Sequence, residues 1–121
     1  MKFFLILFAF TLIVTSCRHK PNFNSLTTVK YSTDIAPIII SNCTQSSCHG
    51  NINTKKFKLL TYDDVIKHCE VNAGSPEKSK LYSVITTYNS SEIMPTQPYS
   101  QLTDKQIQKI YVWIGQGASN N

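Results

Sequence analysis

Cys43, Cys48 and His49 stand close together in the stretch "SNCTQSSCHG". A Cys-x-x-Cys-His run is the signature by which haem is joined covalently to a chain. Here Thr44, Gln45, Ser46 and Ser47 lie between the cysteines, two residues more than that signature holds. The chemistry sets the requirement: two thiols add to the two vinyl groups of the porphyrin, and the following histidine turns under the ring to bind iron. Two intervening residues meet this within about one helical turn. Four must loop outward, and these four are small or polar and uncharged, so the loop is sterically open to them. Gly50 then lets the chain leave close to the ring edge. The same residues suit two other chemistries. A Cys43–Cys48 disulfide would make His49 a bystander, and a zinc site would need a fourth ligand, for which His68 and Cys69 are the candidates.

A haem iron bound by His49 has a sixth position, and Met with His is the ligand pair of electron-carrying haem proteins. Of the two methionines, Met1 only initiates the chain, which leaves Met94, followed by a stiffening Pro95. His68 is its competitor; an imidazole there would lower the potential, because a thioether favours reduced iron. With Lys67 beside it, His68 reads as a surface histidine. Cys69 has no assigned partner and reads as a small buried hydrophobe or a neighbour of the haem edge. Asp63, Asp64 and Glu70, with Lys55, Lys56 and Lys58, read as solvated faces. There is no Ser/His/Asp arrangement, phosphate-cradling glycine loop or catalytic carboxylate pair.

Short helices must position these groups. "YSTDIAPIIISNC" offers Thr33 as a cap, Asp34 in the first turn and Pro37 early enough to be tolerated, with Ile35, Ile38 and Ile39 on one face. Thr61 and Asp64 form a capping box for a helix reaching Cys69. Ser75 followed by Pro76 starts a third, carrying Leu81, Tyr82 and Ile85. "SSEIMPTQPYSQ" is an extended loop, because its prolines forbid a regular helix. Thr103 and Gln106 cap the clearest helix, in which Ile107, Ile110, Tyr111 and Ile114 recur at helical spacing until Gly115 or Gly117. The expected class is all-α, with long loops that call for an organising group.

The chain opens with Lys2, an apolar run from Phe3 to Val14 and small residues before Cys17. That is the pattern of an exported leader, too short for a comfortable membrane span. Its end, "VTSC", resembles the bacterial lipobox, with Val14 where that pattern prefers Leu; the resemblance implies cleavage after residue 16 and lipid on Cys17. The expected divisions are a 1–16 signal peptide, a 17–30 polar tether and a 31–121 domain. Removing the leader leaves about 105 residues, one small domain, with a net charge near +4. The excess is modest, and no run of basic residues interleaved with aromatics suggests nucleic acid. An exported chain with three remaining cysteines leaves one unpaired.

Taken in order, "DIAPIII..NC....CHG", "LLTYDDV", "SKLYSVI", "MP" and "LTDKQIQKIYVWIGQGASNN" resemble the small class I c-type cytochrome domains of bacterial exported proteins and lipoproteins, from about Tyr31 to the C-terminus. The resemblance implies a cytochrome c-like fold with one covalent haem c per chain. Cys43 and Cys48 would be its thioether attachments, His49 the proximal ligand and Met94 the distal ligand. It also implies that the helix before Cys43 packs across the C-terminal helix near Trp113. The expected function is single-electron transfer without substrate chemistry, in the cell envelope, facing the periplasm or outer surface. Redox proteins of a respiratory or periplasmic chain are the expected partners. Two alternatives stand beside it: a peroxide-reducing or gas-binding haem protein with a labile distal ligand, and a haem-free, disulfide-stapled lipoprotein serving as a binding module.

Overall fold

The computed structural model describes residues 21–45, 47–50 and 57–121. The expected signal peptide, Cys17, Ser46, Lys55 and Lys56 lie outside them. Every regular element among the described residues is helical, and there is no strand among them, so the all-α reading holds. None of these helices is long and apolar enough to cross a membrane.

The first helix begins as a π-helical turn, Tyr31–Ile35, and continues as α1, Ala36–Cys43. Thr33 does not cap it. The N-terminal amides are met instead by Asn121, whose side-chain oxygen accepts from Tyr31 N–H at 2.8 Å and whose backbone oxygen accepts from Ser32 N–H at 3.0 Å. Asp34 adds a carboxylate that accepts from Lys30 N–H at 3.0 Å. These acceptors compete successfully because orphan amides at a helix start take whichever oxygen the fold brings near. Ile35, Ile38 and Ile39 are buried, as their spacing predicts.

α2 spans Tyr62–His68, with the expected Thr61–Asp64 capping box complete in both directions. The third helix starts later than expected. Pro76–Lys78 form a separate 3-10 turn, and α3 runs Lys80–Thr86. The break falls at buried Ser79, whose hydroxyl accepts from Asn72 N–H at 2.8 Å and donates to the Ser75 carbonyl at 3.1 Å. Leu81 and Ile85 still face the core.

α4, Asp104–Gly115, carries the Thr103–Gln106 box. Ile110 and Ile114 are buried on its expected face, joined by Trp113. Tyr111 is only half-buried; its hydroxyl donates to Glu77 at 2.5 Å. The first helix meets α4 through its π-helical turn, where Tyr31 lies 5.6 Å from Trp113 between ring centroids. Trp113 Nε1 donates to Ser119 O at 3.0 Å, so its polar edge is satisfied inside the core.

The segment expected to be a tether is docked from Asn22 onward. Phe23–Ser25 form a 3-10 turn, and Phe23 lies 5.4 Å from Tyr111. Gln116 holds the rest: its oxygen accepts from Val29 N–H at 2.9 Å, and its amide donates to the carbonyls of Phe23 at 3.2 Å and Thr27 at 3.1 Å. The folded unit therefore starts about nine residues earlier than composition suggests, because one side chain satisfies backbone groups that polarity alone would leave to water.

Candidate haem-binding cavity

One cavity of about 610 Å³ is bounded by the end of α1, the turn after it, α2, α3 and the loop around Met94. That volume lies in the range of small-molecule and cofactor sites. Cys43, Cys48, His49 and Met94 all line it, and so do His68 and Cys69. Leu59, Leu81, Val84 and Ile85 supply apolar wall, while Glu70, Lys80 and Glu92 bring charge to the lining.

Cys43 closes α1, and the chain then makes a wide turn back to it. His49 N–H donates to Cys43 O at 3.0 Å, and Cys48 N–H donates to Gln45 O at 2.8 Å. The additional residues are thus spanned by a hydrogen bond between the two ends of the motif, which brings the second cysteine and the histidine beside the first. Gly50 has a specific reason to lack a side chain: a Cβ there would lie 2.3 Å from the Thr44 carbonyl oxygen. Ser47 and Tyr99 hydroxyls, 3.2 Å apart, tie this turn to the loop that carries Met94.

His49 is buried, and its Nδ1 lies 2.9 Å from the Phe57 carbonyl oxygen. A carbonyl oxygen only accepts, so Nδ1 carries a proton, and in the neutral ring the lone pair falls to Nε2. Such an outer partner fixes both tautomer and ring orientation in a metal-ligating histidine. The Phe57 ring also stacks on His49, with centroids 4.4 Å apart and planes at 18°. Phe57 also stacks with His68, at 5.0 Å and 10°. Both imidazoles thus share the Phe57 ring.

His68 is half-buried and lines the same cavity, so it is not the surface histidine that its lysine neighbour suggests. Met94 reaches the cavity from a different element, anchored by its N–H to Val84 O at 2.8 Å. Pro95 beside it is buried, and the Gln101 side-chain amide donates to its carbonyl.

The three thiols are unbridged. Burial, then the neighbouring Cys48, pushes Cys43 from the ordinary 9.0 up to about 11. Burial, then Cys43, pushes Cys69 up to about 12. Cys69 is thus a buried neutral thiol on the cavity wall. No group of three or more His, Cys, Asp or Glu capable of holding a metal ion exists among the described residues, so the four-ligand zinc site is not assembled there. A haem iron asks less of the chain, since the porphyrin supplies four of its ligands.

Phe57 is the residue that sequence reasoning passed over. It stands among lysines in "KKFKLL", and its lone aromatic ring in a basic stretch was the available signal. Its carbonyl gave none, since every residue has one. Compared with protein-family models, with curated proteins and with solved structures, the chain matches none.

Proposed function

We propose that this protein is a small monohaem c-type cytochrome with a cytochrome c-like fold, a one-electron carrier of the cell envelope anchored by lipid on Cys17. The observation that carries the reading is the convergence of Cys43, Cys48, His49 and Met94 on a single apolar cavity. These residues come from positions 43 to 94, and covalent haem gives each of them a role. Haem, when bound, supplies an iron that cycles between two oxidation states.

The chain's own residues do the rest. The Phe57 carbonyl holds the Nδ1 proton of His49 and so directs Nε2 into the cavity. The Phe57 ring keeps the imidazole from turning. Cys43 and Cys48 would hold the porphyrin through thioether bonds. Met94 offers a thioether sulfur, which favours the reduced state. Leu59, Leu81, Val84 and Ile85 give the cavity an apolar wall, which would favour the less charged, reduced form of the cofactor. No substrate site is needed, because a cofactor edge within reach of a partner suffices. The partners are redox proteins of a respiratory or periplasmic chain.

The test is the intact mass of protein purified from its native host, measured under denaturing conditions. A mass above the lipidated 17–121 chain by one haem is expected. A colourless protein two protons short of the reduced chain would replace this reading with a disulfide-stapled lipoprotein. On the holoprotein, Met94→Ala should abolish the far-red sulfur-to-iron band and lower the potential; a band that survives removes Met94 from the iron. Carbon monoxide should leave the native spectrum unchanged, whereas a shift would mark an open iron and an enzyme.

A further inference from the structure

The docking of residues 22–30 changes what a lipid at Cys17 can do. An undocked chain from Cys17 to Tyr31 would reach about 50 Å, at about 3.6 Å per extended residue. With Phe23 held to the end of α4 and Asn22 capping its turn, only the link from Cys17 to Asn22 is left, and its reach is about 18 Å. We propose that the face formed by residues 22–30 and the end of α4 lies against the lipid bilayer, and that the haem cavity works at a fixed short height above it on a partner held in the same membrane. The inference rests on the proposed lipid anchor and cofactor.

Three observations carry it. The strap is fixed by a designed fit: Gln116 makes hydrogen bonds to both sides of its backbone, and Phe23 fills the notch at Gly115, where a Cβ would lie 2.4 Å from the ring. The strap exposes an apolar residue, Leu26, which is 45% accessible. The link itself is basic, with Arg18 and Lys20 next to Cys17 and Lys30 at the strap's far end, the charge that anionic headgroups attract. No residue of the strap or of α4 lines the haem cavity, so membrane contact here leaves the cavity lining uncovered by lipid. A carrier on so short a link sweeps a thin shell above the bilayer. It meets membrane-held donors and acceptors at high effective concentration and meets distant soluble ones rarely.

The experiment uses lipidated full-length holoprotein on supported bilayers of phosphatidylcholine with phosphatidylglycerol, its height read by neutron reflectometry. The parent protein layer should abut the headgroups. Ten Gly/Ser residues inserted between Lys20 and Pro21 leave the domain untouched and should lift and broaden the layer. The double variant Gly115→Ala, Gln116→Ala displaces Phe23 and removes the clasp; it should do the same and raise amide exchange across 22–30 at least tenfold. Leu26→Asp should weaken contact without altering the haem spectrum. A parent layer already standing off by tens of ångströms, unmoved by the insertion, overturns the placement. A native chain that carries haem but no lipid overturns the anchor and this placement while leaving the electron-carrier reading intact. A lipidated chain without haem overturns that reading and leaves the strap's placement standing on its own height measurement.

Discussion

Gly50→Ala tests how the wide cysteine turn is built. The added Cβ would sit 2.3 Å from Thr44 O and 3.2 Å from Thr44 C. Both are backbone atoms and cannot swing aside, so Gly50 and Thr44 must separate by about 0.7 Å to reach even a tight contact. Thr44 directly follows Cys43, whose carbonyl accepts from His49 N–H at 3.0 Å. A retreat of that size stretches this hydrogen bond beyond its normal range. Overpacking costs about 1–3 kcal/mol and the weakened hydrogen bond about 1 more. A less flexible unfolded chain returns about 0.4–1 kcal/mol. The expected loss is about 2–3 kcal/mol, or about 10–20 °C in Tm for a domain of this size. Gly74→Ala is the matched control: at φ +78° it suffers backbone strain, but nothing lies within 4 Å of the new Cβ. It should cost about 1–2 kcal/mol. Thermal unfolding of parent and both variants, with amide exchange at His49, reads the difference. Gly50→Ala within about 0.5 kcal/mol of the parent, with His49 N–H still protected, would refute the close-turn account.

The α2 cap should matter more than its size suggests: Thr61→Ala removes the acceptor of Asp64 N–H and should cost about 1 kcal/mol by denaturant titration, whereas Thr61→Ser should restore most of it. Cys69 should make stability fall at alkaline pH. Its folded pKa is raised from 9.0 to about 12, so its contribution is full below about pH 9 and is lost as pH rises through 12. Equilibrium unfolding of the holoprotein should show this loss, and Cys69→Ala should flatten it; an unchanged slope would remove Cys69 as its source. His68→Phe keeps a ring on the stack and should leave the iron spectrum and the far-red band unaltered, while Phe57→Ala should shift the potential and broaden the His49 ring resonances. A lost sixth ligand in His68→Phe would show that His68, not Met94, binds iron.

Local features are legible in the chain's residues alone. The two capping boxes are legible because each joins residues three apart, and a short side chain can reach only its own first turn. The isoleucine stripes, the proline-broken loop around Met94 and the adjacency of Cys48 and His49 are equally local, so the candidate ligands could be named from spacing and composition. Tertiary structure decided whatever depends on acceptors that every residue carries, or on partners far along the chain. Asn121 caps the first helix, Gln116 clasps Val29 across 87 residues, and the Phe57 carbonyl selects the tautomer of His49. His68 shows the division within one residue. Its chemistry could be read from its type, but its place on the cavity wall, stacked on Phe57, follows from how α2 packs.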